Sequence, residues 1–270
     1  MSLKPLAMLS LVAPMTVYLF VTAPPPLPEA SAEGRSKRLT AHEVLEICAA
    51  ENAAVRELYA EEIVGAGREA GLRFDEKWEQ LKVDAGPLPA LFLRQVSKSL
   101  ANSSVKLGLF LGSDNPINKS NRFFGPQEDA LREMRRDGKP RGFFMKDVEL
   151  YTAMFPDFAV AEACVDCHNQ HPDSPKRNWE LGDLMGATTW TFPSNSVSVP
   201  EMLDVIAALR NGFRDAYARY IEKTKTFSSP PEVGNKWPSQ CYCLPTPETF
   251  MQAAERRISK PTLDRLLSRR

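Results

Sequence analysis

The stretch SKRLTAHEVLEICAAENAAVRELYAEEIVGAGREAG, residues 36–71, reads as one long helix, and nothing else in the chain constrains the fold as much. Thr40 is placed to cap its N-terminus, Glu43 three residues later completes a capping box, and Gly71 stands near the stop. Leu45, Cys48, Val55 and Tyr59 fall close to one face at helical spacing, so the helix carries an apolar stripe that other elements must cover.

Downstream the periodicity changes. A second helix is expected from about Leu88 to Leu100, and SVKLGLFLG then alternates Val105, Leu107, Leu109 and Leu111 as a strand does. A loop rich in Asn, Ser and Pro, SDNPINKSNRFFGP, leads into a charged helix ending at Gly138. RGFFMKDVELYTAMFPDFAV has the composition of a strand pair, and LMGATTWTFP that of a further strand. Helices followed by strands interleaved with a short helix predict an α+β fold with an antiparallel sheet. Ser198, Pro200 and Glu201 open another helix with a stripe of Val205, Leu209, Phe213 and Tyr217 or Tyr220. An irregular stretch and a basic terminal helix from about Glu248 complete the chain, and the charge of that helix reads as a solvated face.

At 270 residues, 43% of them hydrophobic, the chain can bury one sizeable core. Lys plus Arg equals Asp plus Glu at 34 each, which removes any chain-wide electrostatic case for nucleic acid. The N-terminus has one Lys before an apolar run of about 19 residues, near the ~20 that span a bilayer, and then Ala30-Ser31-Ala32. That order is a secretory signal with a small-residue cleavage site, or else an uncleaved anchor. The expected organisation is therefore a signal or anchor over 1–32, a domain over 36–195, a helix over 196–226 and a tail over 227–270, all exported to the periplasm.

Two of the five cysteines and two of the three histidines fall within ACVDCHNQHP, residues 163–172. Cys164-Val165-Asp166-Cys167-His168 is the C-x-x-C-H pattern of covalent haem c attachment, in which two thiols reach the vinyl groups and the adjacent imidazole ligates iron. Chance placement yields such a string in on the order of one chain in a thousand of this composition. Zinc is the rival, with Cys164, Cys167, His168 and His171 as a set, but a zinc ribbon separates its ligand pairs by a dozen or more residues. His171 is left as a surface or haem-edge residue.

These residues carry a resemblance. The long helix with a central Cys, the Asn115-Pro116 loop before a charged helix, the C-x-x-C-H segment and, about a dozen residues on, Gly182-Asp183-x-x-Gly186-Ala187 resemble a family of single-haem c-type domains over roughly residues 36–195. Its members are exported haem proteins and extracytoplasmic sensor domains. The resemblance implies a PAS-like antiparallel sheet with a long N-terminal helix and flanking helices, one covalent haem c, and a thiolate ligand at Cys48. Where members tend to show Arg before Asn-Pro, this chain has Asp114.

The roles expected are then attachment by Cys164 and Cys167, proximal ligation by His168, and a pocket lined by the loop from Asn115 to Arg122, with Asn118, and by the segment from Lys176 to Gly186, with Gly182. For the iron's sixth position the residues leave Cys48, His42, His171, Met145, Met154 and Met185 open. By its surroundings alone, Cys48 reads as a small core residue. A thiolate ligand implies a low reduction potential and a methionine the opposite. The function expected is electron transfer or redox or small-ligand sensing, with a redox partner or a separate signalling protein and no nucleic acid. The alternative is a haem enzyme such as a small peroxidase, for which no acid–base residue stands out. Cys241 and Cys243, one residue apart, have no assigned role.

Overall fold

The structure, a computed structural model, describes residues 38–160, 162–239 and 243–267. The signal or anchor reading falls on residues 1–32 and, like Cys241, lies outside the described residues. Among the described residues, no helix is long and apolar enough to cross a membrane.

A short strand β1 (Arg38–Thr40) runs into α1 (Ala41–Leu58). The Thr40 side chain accepts from the Glu43 backbone N–H while the Glu43 carboxylate accepts from the Thr40 N–H at 2.7 Å, the reciprocal capping box that the sequence calls for. Helical winding continues past Leu58, but as a π-helical segment, Tyr59–Gly65, followed by one α-turn, α2 (Ala66–Glu69). Sequence periodicity cannot separate that widened segment from α-helix, because both keep an apolar stripe. Gly71, at φ +89°, takes the left-handed conformation that ends the winding.

The remaining helices are α3 (Pro89–Ala101), α4 (Pro126–Asp137), α5 (Glu162–Gln170), α6 (Val199–Thr224) and α7 (Pro247–Leu267). Four strands, β2 (Gly108–Gly112), β3 (Arg141–Met145), β4 (Leu150–Phe158) and β5 (Leu184–Phe192), form an antiparallel sheet in the order β2-β5-β4-β3. β6 (Ser196–Ser198) pairs with β1, and a short pair, β7 (Val233–Gly234) and β8 (Leu244–Pro245), ties the tail together. The fold is thus mixed α/β around an antiparallel sheet, as expected. The alternating segment from Val105 is shorter as a strand than its pattern suggests, since only Gly108–Gly112 finds a partner in β5.

Alternation along β4 and β5 divides the interior in two. Ala153 opposes Trp190 and both join the main core with α1, α3, α6 and α7. One residue on, Met154 turns to the other face and packs with Phe123 and with Ala130, Leu131 and Met134 of α4. α7 belongs to the main core too: Phe250 stacks on Tyr217 of α6 at 4.1 Å, and Ala254 and Ile258 are fully buried. Its basic character is not purely a solvated face, because Arg257 pairs with Glu57, Glu61 and Glu62 beside α1.

The core also holds a wholly buried carboxylate. Glu51 of α1 receives Arg210 of α6 through two bonds of 2.7 and 3.0 Å, which fixes the rotation of α1 against α6. Arg210→Ala leaves that carboxylate buried without its guanidinium, and denaturant unfolding should show a loss of about 3 kcal/mol. Arg214→Ala, one turn on and exposed, should cost less than about 0.5 kcal/mol in the same measurement.

Candidate functional site

One end of the sheet gathers the segments that the sequence singles out. β2 ends there at Gly112, β4 ends at Phe158 and β5 begins at Leu184. The loop 113–122, α5 and the return segment 171–183 therefore emerge side by side. Gly186 makes this crowding possible: a Cβ there would stand 2.4 Å from the Gly112 carbonyl oxygen. Gly182, at φ +86°, makes the turn by which the return segment meets the exit of β4, through Gly182 N–H to Ala159 O and Ala159 N–H to Asp183 O, each 2.9 Å.

Residues 163–172, to which the sequence pattern assigns no element, are mostly helix. In α5 the side chains at i, i+3 and i+4 share a face, so Cys164, Cys167 and His168 point the same way. Val165 projects from the adjacent flank and anchors the helix in a small apolar cluster with Ala159, Trp179 and Met185. Both C-x-x-C cysteines are free thiols, Cys167 exposed and Cys164 half-buried. Burial pushes the Cys167 thiol up, nearby Glu76 adds to this, and Arg68 opposes it.

His168 is half-buried, with its ring perpendicular to the Trp179 indole at a centroid distance of 6.3 Å. Burial, helped by His171 nearby, lowers its proton affinity below the ordinary histidine value, so the imidazole is neutral at neutral pH. Its Nδ1 is buried and has no hydrogen-bond partner among the described residues. Two reduced thiols beside a neutral imidazole on one helix face can form two thioethers and present one ring nitrogen to a metal, so the donor set fits haem c.

Zinc finds less support. Among the described residues, no group of three His, Cys, Asp or Glu side chains converges as a metal site, and His171 is engaged elsewhere. Its Nε2 lies 2.7 Å from Glu76 and its Nδ1 accepts from the Asp173 N–H, so it links the end of α5 to the segment after α2.

The other expected residues divide. Lys176 is in the site, 3.6 Å above the Trp179 ring and paired with Asp183 at 3.1 Å. The loop is at the same end of the sheet and is tied to β5 by Ser113 Oγ donating to Met185 O. Within it Asn118 caps the turn Lys119–Asn121, Asn115 N–H bonds Ser113 Oγ, and the bridge between Ser113 and Arg122 closes the loop. Asp114, in the place where the resembling domains show Arg, accepts from Arg135 of α4 at 2.6 Å. Burial works against its ionisation, but the bond and charge of Arg135 outweigh it and hold the carboxyl below the usual range.

Cys48 belongs to a different cluster. It is fully buried in the main core, whereas His168 abuts the small cluster at the sheet end. Arg56 of α1 reaches that end, bonding Asp157 at 2.6 Å, and Cys48 sits eight residues earlier, about 12 Å back along the axis. Burial pushes its thiol far up. Among the other residues considered for the sixth position, Met154 is buried under α4, while Met185 packs directly on the cluster beside α5.

Trp179, Asn169 and Glu76 are missed by sequence reasoning, and only the Trp, an aromatic residue a short loop beyond the motif, offers a signal. Alkylation followed by peptide mapping on haem-free chain should label Cys167 first and leave Cys48 unlabelled until the fold opens. Glu76→Gln should speed labelling of Cys167 near neutral pH and Arg68→Ala should slow it, because thiolate is the reactive form.

No curated protein matches the chain, and no solved structure does. A family model described as Tll0287-like matches residues 35–193, which takes in every element from β1 to β5. That is more than half of the sequence, and the chain belongs to the Tll0287-like family.

Proposed function

We propose that this is an exported single-haem c-type protein acting in electron transfer or in sensing of redox state or a small ligand, with a PAS-like domain. The observation that carries the reading is the shared face of Cys164, Cys167 and His168 on α5, with both thiols free and the imidazole held neutral. Cys164 and Cys167 would hold the haem through thioethers, and His168 would ligate its iron. The bound group would supply a one-electron couple whose potential its ligands and surroundings set. The chain's own part is to keep the imidazole unprotonated, to present the thiols at the surface where attachment takes place, and to wall the site with Val165, Trp179 and Met185.

Attachment outside the cytoplasmic membrane agrees with the order of residues 1–32. The partner is a redox protein or a separate signalling protein; the balanced charge gives no support for nucleic acid.

For the sixth ligand two readings stand. Cys48 rests on the resemblance, and ligation would itself deprotonate a thiol that burial keeps neutral. Met185 rests on its packing beside α5. Mass spectrometry of protein made in a haem-attaching host should show one covalent haem on wild type and none on the Cys164→Ala/Cys167→Ala variant; wild type without haem ends the proposal. With haem present, loss of the low-spin spectrum in Cys48→Ala selects the thiolate, and its loss in Met185→Ala selects the thioether. A high-spin spectrum in wild type indicates an open position and the enzyme or gas-sensor alternative.

A further inference from the structure

The surroundings of His168 are more specific than attachment needs. Asn169, the next residue, makes two bonds to the backbone of Trp179: its Oδ1 accepts from the Trp179 N–H at 2.8 Å and its Nδ2 donates to the Trp179 carbonyl at 3.0 Å. This holds Trp179 to α5 as a second strand would be held, and the indole is almost fully buried against Val165. On the indole face sits the Lys176 ammonium, itself fixed by Asp183, whose carboxylate also accepts from the Glu180 N–H. Ser174 Oγ donating to Lys176 O closes the segment below. The result is a small clasp of residues 174–183 with the Trp179 indole at right angles to the His168 ring.

Metal-bound histidines ordinarily donate their second ring N–H to a carboxylate, a carbonyl or water, which orients the ring and raises its basicity. Here, among the described residues, the buried Nδ1 of His168 has no such acceptor and the Trp179 Nε1 has no partner either. We propose that Trp179, locked by Asn169, is the positioning residue of His168: it orients the imidazole by packing and keeps water from Nδ1, leaving a ligand of low basicity. The redox consequence rests on the haem reading; the mechanical one does not. An imidazole without an acceptor donates less charge to iron, so excluding water here raises the reduction potential above that of a hydrated histidine.

Two measurements on the full chain separate these parts. Hydrogen exchange of the α5 amides, read with or without haem, should quicken about tenfold or more in both Trp179→Ala and Asn169→Ala, and the double variant should add little to either. Unchanged protection in both single variants overturns the clasp. In haem-loaded protein, Trp179→Ala should lower the reduction potential, with Trp179→Phe restoring most of it because a ring still covers Nδ1. An unchanged potential in Trp179→Ala, or an equal fall in both variants, overturns the positioning role. If mass spectrometry finds no haem on wild type, the function proposed above fails, while the exchange result still decides the clasp.

Discussion

The antiparallel pairing of β4 with β5 is the constraint on which the rest depends. Its register sets Ala153 against Trp190 on the face under α1 and turns Met154 to the face under α4, so a slip of one residue would exchange the two faces. The same pairing brings Asp157 and Phe158 to the level of Gly186 and Leu184, where α5 begins and the return segment ends. A site divided between residues 162–170 and 174–183 exists only because those strand ends lie together.

Around the sheet the helices act as two covers of unequal depth. The deep side stacks α1 between the sheet and α6 and α7, and the Glu51–Arg210 pair sets the rotation of α1 there. α5 belongs to neither cover. It hangs at the sheet end on Val165 and Asn169, which both meet Trp179, and on His171 just past its end, which meets Glu76. Helical form at α5 thus owes less to a large apolar face than to side-chain bonds at one end, and this keeps the thiol face open at the surface.

Much of this was legible from residue types at fixed spacing. Thr40 with Glu43, Ser198 with Glu201, and Gly138 in the left-handed conformation at the end of α4 mark helix ends by local hydrogen bonding and backbone sterics, which need no distant partner. Gly182 and Gly186 stood out as a motif, but their reasons differ. One makes a turn, and the other lets a neighbouring strand approach within a methyl group's reach, which only the paired sheet reveals. The π-helical segment and the clasp of Asn169 on Trp179 left no periodic trace, because each depends on which side chains happen to meet.

By itself, then, the sequence determined the C-x-x-C-H spacing, the helix ends that carry a cap or a terminal Gly, and the antiparallel class, since each follows from short-range spacing and local backbone preference. Only the tertiary structure decided the company each reactive group keeps. Cys48 reads as a core residue from its surroundings alone, but that it falls in a different cluster from the one beside His168, more than a hundred residues on, follows from strand register and helix packing, as does the arrival of Met185 and Trp179 beside α5. Burial and neighbouring charge then set the protonation of His168 and Cys167, and those are properties of position in the fold rather than of residue type.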